Sequence, residues 1–220
     1  MNVIIYGNGR IARVLFKFVK HELNVACFTV DDCFITDKTL LDLPVYPFDK
    51  IDKLYSPADF KILLAVGYHE MNRLRRSLFS QIKSRGYTIG SYIHPSVVLH
   101  DDVRIGEGNL ILDNVSIQPE VKIGNNNFIW SNSVIAHGVN ISDHCWIASG
   151  SVIAGDSKIN SGCFLGINST ISHNVIIGKE TFIGGSSLIN RDTPSNSVHI
   201  SRPAEKHRLD SLSFLNFTKL

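Results

Sequence analysis

A strict six-residue repeat runs through the second half of this 220-residue chain. Every sixth position from Leu99 to Ile189 is isoleucine or leucine, which makes sixteen aliphatic residues without an exception. The position two residues earlier is small, β-branched or asparagine, as at Val97, Asn109 and Ser133. Two inward positions per hexad are typical of a parallel β-helix, whose stacked coils share one continuous core. Three hexads form one triangular coil of 18 residues, so residues 97–192 predict a little over five coils.

The outward positions of these coils fall on three unlike faces. The first is aromatic or large and apolar, the second mostly apolar, and the third mostly polar. Their members are, in that order, Leu110, Phe128, Trp146, Phe164 and Phe182; Val98, Ser116, Val134, Val152, Thr170 and Leu188; and Arg104, Lys122, Asn140, Lys158 and Ile176. Apolar patches of this size normally mark partner surfaces, and two unlike apolar faces favour a closed ring, which predicts a homotrimer. The alternative is that the N-terminal domain or the tail of the same chain covers the aromatic stripe.

Strand and helix patterns alternate in the first ninety residues. Strands are predicted at residues 2–6, 25–30 and 61–66, with a helix after the first, a loop-rich stretch at 33–59 and a basic amphipathic helix at 69–85. This alternation indicates a parallel sheet with helices on its faces, an α/β Rossmann-like domain. We therefore divide the chain into a Rossmann-like domain at residues 1–90, a β-helix at 91–193 and a C-terminal tail at 194–220.

A glycine-rich turn follows the first predicted strand. Gly7, Gly9 and Ala12 match the G-x-G-x-x-G/A pattern, in which glycines let the backbone approach a phosphate at a helix N-terminus. Asp31 and Asp32 end the next strand, where ribose or base edges are usually bound. The segment contains little more than one mononucleotide-binding half, so it favours a nucleotide or nucleotide-sugar over NAD. The alternative is a purely structural turn.

Composition and charge exclude several classes of protein. A content of 44% hydrophobic residues indicates a folded chain. A net charge of +2 does not provide the positive electrostatic potential that binding to nucleic acid or an anionic membrane would need. The start MNVIIYGNGR shows neither a signal peptide nor a membrane span, which predicts a cytoplasmic protein. Cys27, Cys33, Cys145 and Cys163 lack CxxC spacing and are predicted to be free thiols.

Two histidines lie on one predicted edge of the β-helix. His137 and His173 are separated by two coils, and Gly155 falls between them. A histidine beside a glycine-floored groove suits a general base, whereas histidines along such an edge can also hold zinc. Zinc would need a third ligand such as His144, so no metal is predicted and zinc remains the alternative. His144 and His173 are otherwise interpreted as solvated loop residues.

Several segments together are distinctive: GNGR, the Asp31-Asp32 pair, LLAVGYHEMNR, SYIHPSV at residues 91–97, the uninterrupted hexads and the closing SRPAEKHR. With them the chain resembles, over nearly its whole length, the sugar O-/N-acyltransferase family typified by bacillosamine N-acetyltransferase and sialic acid O-acetyltransferase. The resemblance implies a left-handed β-helix, a homotrimer, acetyl-CoA between neighbouring subunits and a nucleotide-linked sugar at the N-terminal domain.

The resemblance also assigns site residues. His137, in SVIAHGV, matches the catalytic histidine, but Gly138 stands where the family usually has the acid that orients it; Asp143 and Asp156 are the nearest acidic candidates. The cofactor contacts fall on Trp146, Ile167 and Gly185, and the nucleotide-sugar contacts on Asn8, Gly9, Arg10, Asp31, Asp32 and Gly67.

These observations predict direct attack of a sugar amine on the acetyl thioester, with His137 as the base. The expected acceptor is a nucleotide-linked 4-amino-4,6-dideoxyhexose used in bacterial surface polysaccharide synthesis. The alternatives are O-acetylation of a sugar, a zinc-dependent β-helix hydrolase and a catalytically silent β-helix that binds a nucleotide-sugar. The tail LDSLSFLNFTKL is expected to form a helical cap over the end of the β-helix.

Overall fold

The computed structural model describes residues 1–218, and an α/β domain occupies the first ninety of them. Its strands are β1 (Asn2–Tyr6), β2 (Asn24–Val30), β3 (Thr39–Leu40), β4 (Leu43–Pro47), β5 (Lys61–Leu64) and β6 (Thr88–Ile89). Its helices are α1 (Arg10–Val19) and α2 (Arg73–Ser84), and short 3-10 helices cover Asp32–Phe34 and Phe48–Lys53. The strand order is β3-β4-β2-β1-β5-β6, and all neighbours are parallel except the β3–β4 hairpin.

Two details of this domain differ from the sequence-based expectation. The loop-rich stretch contains β4, which pairs in parallel with β2 although its sequence LPVYP holds two prolines. The second helix begins at Arg73 rather than at residue 69, because Glu70, Met71 and Asn72 all have positive φ angles and form a left-handed turn. That turn touches the β-helix, since the Asn72 amide donates to the carbonyl of Cys163 at 3.3 Å.

The repeat forms the predicted three-sided rod. Its first sheet contains β7 (Tyr92–Ile93), β10 (Leu110–Ile111), β13 (Phe128–Ile129), β16 (Trp146–Ile147), β19 (Phe164–Leu165), β22 (Phe182–Ile183) and β24 (Val198–His199). The second contains β8 (Val98–Leu99), β11 (Ser116–Ile117), β14 (Val134–Ile135), β17 (Val152–Ile153), β20 (Thr170–Ile171) and β23 (Leu188–Ile189). The third contains β9 (Arg104–Ile105), β12 (Lys122–Ile123), β15 (Asn140–Ile141), β18 (Lys158–Ile159) and β21 (Ile176–Ile177). The stacked parallel sheets fit a left-handed β-helix.

The inward columns make the core of the rod. Strand neighbours pair with an 18-residue offset, as in Phe128 with Trp146, so each isoleucine lies above the isoleucine of the preceding coil. These side chains are buried from Ile111 to Ile189. The second inward column places buried serines and asparagines against backbone carbonyls, for example Ser151, whose hydroxyl donates to Ala148 at 2.7 Å. Cys145 and Cys163 fill the same column as buried free thiols.

The ends of the rod differ from the predicted boundaries. β24 pairs with β22, so the rod continues beyond residue 193 to His199. The tail forms a helix, α3 (Ser211–Thr218), but none of its residues is buried and Phe217 is 75% exposed. The expectation that this helix covers the end of the rod is therefore wrong, because α3 does not bury its apolar side chains. In residues 1–218, no helix combines the length and apolar character needed to cross a bilayer.

The N-terminal domain covers the aromatic face of the rod. Leu110 and Phe128 are fully buried and Trp146 is 4% exposed, and Tyr68 lies against Trp146 at a ring-centroid distance of 5.3 Å. The preferred expectation that this stripe is a surface for a partner is therefore wrong, and the alternative of cover by the same chain is correct. The physical reason is that the buried side of α1, with Leu15 and Val19, joins one apolar cluster with the stripe, and the turn before α2 adds Met71.

A buried arginine joins the two domains. Arg75 is completely buried, and its guanidinium donates to the carbonyls of Leu64 and Val66 and to the Asn126 side-chain oxygen at 2.9 Å. It also lies over the Phe128 ring at 5.7 Å. Burial lowers the pKa of Arg75 to about 9. At the periphery, Arg73 forms an ion pair with Glu180 of the rod at 2.7 Å.

Candidate active site

A cavity of about 560 Å³ opens at the glycine turn. It lies at the carboxyl ends of β1, β2 and β5, where parallel sheets bind ligands, and next to the N-terminus of α1, where backbone N–H groups favour anions. Asn8, Gly9, Arg10, Asp31 and Gly67 line it, so five of the six predicted substrate contacts come together. Asp32 is exposed nearby but does not line the cavity.

The two glycines of the turn have different physical roles. Gly7 has a φ of 128°, and a Cβ there would lie 2.6 Å from the carbonyl oxygen of Ala65, so any side chain would disrupt the contact between β1 and β5. A Cβ on Gly9 would meet no protein atom within 4 Å. Gly7 is therefore required by the fold. The absence of a side chain at Gly9 instead leaves open a space in which a ligand can approach the protein backbone.

Hydrogen bonds within the domain fix the polar groups of the cavity. The Tyr6 hydroxyl donates to Asp31 Oδ1 at 2.7 Å, and burial together with the Asp31 carboxylate raises the pKa of Tyr6 well above its usual value. The Asn8 amide donates to the carbonyl of Phe34 at 2.7 Å. Asp31 is therefore oriented by a phenol that stays protonated, and no group within residues 1–218 donates to its second oxygen.

Sequence reasoning missed part of the cavity wall. Tyr6, Phe34, Thr36 and His69 line it together with the predicted residues. Tyr6 is the last residue of a predicted strand, and its position beside the turn could have indicated a role. Phe34 and Thr36 lie in an irregular stretch without periodicity, so no signal in the sequence points to them.

His137 lies in a corner turn of the rod, between β14 and β15. Its side chain is exposed, and its backbone N–H donates to the Gln118 side-chain oxygen at 3.0 Å. The imidazole covers Gly155 of the next coil so closely that a Cβ there would lie 2.6 Å from Nε2. The predicted glycine floor is thus observed. The His173 ring, two coils away, has its centroid 6.4 Å from that of His137.

The other histidines separate into two environments. His173 is exposed, as expected, and its Nε2 lies 3.9 Å from Asp156 Oδ2. His144 is not a solvated loop residue: it lies half-buried between the domains, with Nδ1 2.9 Å from the Asn126 amide and its ring against Phe79. Burial, and secondarily the positive charge of Arg76, lower the pKa of His144 to about 4. Within residues 1–218, no three His, Cys, Asp or Glu side chains are grouped as metal ligands.

The predicted cofactor contacts fall in two places. Ile167 and Gly185 are neighbours on the edge between the first and second sheets, where the Gly185 Cα carries no side chain and Ile167 is 60% exposed. Trp146 is separated from them in the interdomain cluster beneath Tyr68. The fold therefore gives Ile167 and Gly185 an open edge, whereas it places Trp146 in packing.

The cavity and His137 lie on opposite sides of the rod. The N-terminal domain covers the first sheet, and Tyr68, next to cavity residue Gly67, packs on Trp146 and Phe164 of that sheet. His137 stands on the edge between the second and third sheets, which in a three-sided rod faces away from the first. A single chain thus contains both the cavity and His137 but does not bring them together.

A three-sided rod of hexapeptide coils, preceded by an α/β domain with a cavity at its glycine turn, defines the class of left-handed β-helix proteins with hexapeptide repeats. The family model of the GMPPB C-terminal domain matches residues 93–202, which is half of the 220 residues. The chain belongs to this family. A comparison with curated protein sequences finds no match.

Solved structures resemble the chain over nearly its whole length. Perosamine N-acetyltransferase from Caulobacter crescentus, solved with CoA and GDP-perosamine, has 26% identity and a TM-score of 0.84, covering 93% of this chain and 96% of that one. The acetyltransferase domain of PglB from Neisseria gonorrhoeae, solved with acetyl coenzyme A, has 19% identity and a TM-score of 0.82, covering 93% and 98%. WeeI from Acinetobacter baumannii has 23% identity and a TM-score of 0.81, covering 93% and 99%. The perosamine N-acetyltransferase confirms the resemblance to sugar acyltransferases, and the other two structures share its fold.

Proposed function

We propose that this protein is an acetyl-CoA-dependent N-acetyltransferase that acts on a nucleotide-linked 4-amino-4,6-dideoxyhexose. The observation that carries the proposal is the pairing, in one chain, of a glycine-turn cavity with an exposed histidine over a glycine floor. The similarity to a perosamine N-acetyltransferase that binds CoA and GDP-perosamine supports the same pairing of substrates here. Such an acceptor belongs to the sugars of bacterial surface polysaccharides.

The N-terminal domain supplies the nucleotide site. Its strand order and glycine turn support a Rossmann-like mode of binding, with the diphosphate at the N-terminus of α1 beside Asn8, Gly9 and Arg10. The Arg10 guanidinium adds positive charge at the mouth of the cavity. Asp31, held by Tyr6, accepts hydrogen bonds from the nucleoside, and Asp32, the next residue in the chain, contributes from the rim.

Acetyl-CoA lies along the open edges of the rod. Ile167 and Gly185 offer an exposed apolar side chain and a flat backbone for its pantetheine arm. The residues present fit such a chain because its amide groups pair with backbone groups while its carbon atoms cover exposed apolar area. Trp146 does not face this edge, and it contributes to the site only by packing against Tyr68 in the adjacent contact between the two domains.

The complete site is shared between copies in a homotrimer. The cavity of one chain faces away from its own His137, so a neighbouring chain brings the two groups together. Exposed apolar residues on the second sheet, Val98, Val152 and Leu188, supply area for that contact. Copies related by a threefold axis would bury this face and close three equal sites.

The proposed reaction is direct transfer. The amine nitrogen attacks the thioester carbonyl carbon, a C–N bond forms, the C–S bond breaks, and coenzyme A leaves as the thiolate. His137 accepts the proton that the nitrogen loses and returns it to the thiolate, while a backbone N–H stabilises the developing oxyanion. An amine is partly unprotonated near neutral pH, so a histidine without an acid next to it in the chain suffices, which favours N-transfer over O-transfer.

The activity is tested with acetyl-CoA and GDP-, UDP- and dTDP-linked 4-amino-4,6-dideoxyhexoses. Thiol release and a product heavier by one acetyl group are expected with at least one amine, and His137→Asn should reduce turnover by about 100-fold or more. The matched acceptors carry a hydroxyl in place of the amine. Acetylation of those sugars alone would establish an O-acetyltransferase, and no thiol release with any amine would count against the proposal.

The shared site is tested by complementation. His137→Asn and Arg10→Ala chains, each inactive alone, are co-expressed with different affinity tags. Mixed trimers should regain about a quarter of the wild-type sites, because one variant supplies an intact cavity and the other an intact histidine. Sites built within single chains would give no recovery.

A further inference from the structure

The outer face of α1 carries a row of cations. Arg13, Lys17 and Lys20 are exposed and follow one another at three- or four-residue spacing, so they form one stripe along the helix, here called the basic ridge. Arg13 and Lys17 line a surface concavity together with Arg10, which that concavity shares with the glycine-turn cavity. Within residues 1–218, no carboxylate forms an ion pair with a cation of the ridge. The ridge therefore presents its charge to solvent in the single chain.

The helix that carries the ridge lies along the edge between the first and second sheets. Near its end, the Phe18 ring contacts His94, at the first corner of the rod, with a centroid distance of 5.7 Å. Its start lies beside Gly67, and the next residue, Tyr68, packs on Trp146 three coils further along the rod. A helix of ten residues is about 15 Å long, which equals about three coils of about 4.8 Å each. The ridge thus runs beside the first coils of the rod.

The edge between the second and third sheets is acidic over the same coils. Its corner turns hold Asp101 and Asp102 in the first coil, Glu120 in the second and His137 in the third. Asp101 and Glu120 are exposed, and neither forms an ion pair in the described part of the chain. Asp102 also has a structural role, because its Oδ2 accepts from the backbone N–H of Glu120 at 2.8 Å. These three carboxylates are here called the acidic edge.

The ridge and the acidic edge can meet only between two copies. They lie on different edges of one rod, so a chain cannot join its own ridge to its own acidic edge. In a threefold arrangement that buries the second sheets, the first edge of one chain meets the other edge of the next chain, and equal coils lie at equal height. The ridge then faces carboxylates over its whole length. The cations Arg104 and Lys122 lie on the third face, outside this edge.

We infer that the basic ridge of one copy docks on the acidic edge of the next copy, and that this contact selects which sides of the rods meet. The inference rests on the proposed function, in which the site is shared between copies. His137 lies one coil beyond Glu120, and the glycine-turn cavity opens at the start of α1, so the contact brings both halves of the site to a similar height. Charge pairs at the rim of an interface act mainly in this way, by fixing orientation and choice of partner.

Sedimentation velocity over a dilution series tests the contact without any substrate. Arg13→Glu/Lys17→Glu should raise the concentration at which half of the chains are trimeric by about 10-fold or more at low salt, because it sets like charges against each other. Asp101→Lys/Glu120→Lys should have the same effect. A chain with all four changes restores opposite charges in exchanged positions, and its midpoint should return to within about threefold of wild type.

The matched control is Lys50→Glu/Lys53→Glu. These lysines belong to the 3-10 helix Phe48–Lys53, which packs on the other face of the sheet from α1, so their reversal should change the midpoint by less than about twofold. An equal effect of the control, or no recovery in the fourfold variant, would overturn the inference. A wild-type trimer that does not respond to reversal of the ridge would also overturn it, and would leave the shared site and the activity intact. A wild-type chain that stays monomeric would overturn both the inference and the shared site.

Cross-linking tests the same contact in a trimer that is too tight to dissociate on dilution. A carbodiimide joins lysine amines to carboxylates in contact, and trimers assembled from unlabelled and 15N-labelled chains distinguish links between chains from links within one. We expect Lys17 or Lys20 of one chain to be linked to Asp101 or Glu120 of another. The ion pair of Lys83 with Glu107 provides the internal control for reaction within a chain. Recovery of the control link without any link from the ridge to the acidic edge would overturn the inference.

Discussion

The Arg75 guanidinium donates to the side-chain oxygen of Asn126 at 2.9 Å, across the boundary between the α/β domain and the rod. Arg75 is fully buried and also donates to two carbonyls of its own domain. Few charged side chains are buried without a carboxylate, and here only neutral acceptors and aromatic rings surround the cation. This contact fixes the α/β domain on the aromatic face.

Replacing Arg75 by lysine should weaken this junction. Lysine keeps the charge but cannot donate in a planar fork, so acceptors on both domains would lose partners while the cation remains buried. We expect the free energy of unfolding to fall by about 2–4 kcal/mol, measured by urea denaturation. Arg73→Lys, on the exposed side of the same helix, is the matched control and should change it by less than about 0.5 kcal/mol. Equal losses would mean that the burial of Arg75 has no special role.

The two turn glycines should respond differently to alanine. Gly7→Ala places a Cβ against the Ala65 carbonyl and requires a positive φ, so it should lower the melting temperature by several degrees, corresponding to about 2 kcal/mol or more. Gly9→Ala meets no protein atom and should leave the melting temperature within about one degree. It should instead raise the KM for the nucleotide-sugar while the KM for acetyl-CoA stays the same. A Gly9→Ala protein with unchanged KM would mean that no ligand uses the open space.

Gly155→Ala should displace the His137 ring. A Cβ at this position would lie 2.6 Å from Nε2, and the exposed ring can swing away at little cost to stability. We expect kcat to fall about 10-fold or more, with a melting temperature close to that of wild type, because misplaced catalytic groups cost rate rather than stability. In the His137→Asn background the same change should add no further loss. An additional loss there would show that Gly155 serves another purpose.

His144 should make the protein less stable in weak acid. Its pKa is about 4 in the folded protein against an ordinary value of 6.5, so the unfolded chain takes up a proton first as the pH falls. The stabilisation is fully present above pH 6.5 and is lost progressively between pH 6.5 and about 4. His144→Asn should flatten this part of a plot of unfolding free energy against pH, and asparagine suits the left-handed backbone at this position.

The exposed histidine His21 provides the control for that measurement. His21→Asn should leave the slope between pH 6.5 and 4 as it is in wild type. If both variants behave alike, the acid sensitivity arises elsewhere, for example from carboxylates that lose ion pairs.

The rod could be predicted closely from the sequence because its period is short and every coil repeats the same requirement. An unbroken inward column of isoleucines leaves no other architecture, and the 18-residue offset of the strand pairs follows from three hexads per coil. The glycine turn, the cavity beside it and the floor beneath His137 were predictable for a related reason. Each depends on residues that are neighbours in the chain or are separated by whole coils.

The domain contact could not be predicted, since it depends on pairs far apart in sequence. Arg75 lies on a helix whose many basic residues suggest an exposed surface. Its partner Asn126 is 51 residues away in the other domain. The pattern of hexads indicates an apolar face without indicating what covers it. The same limit applies to Phe34 in the cavity wall.

Each strand of the rod is two residues long and is defined only by the strands above and below it. A single inserted residue within a strand would therefore turn the isoleucines of that coil outward, whereas an insertion at a corner would bulge harmlessly into solvent. Chains of this kind are expected to tolerate insertions and deletions of whole 18-residue coils, and shorter insertions only at the corners between strands. Reading-frame-preserving insertions elsewhere in residues 110–190 should be strongly counter-selected.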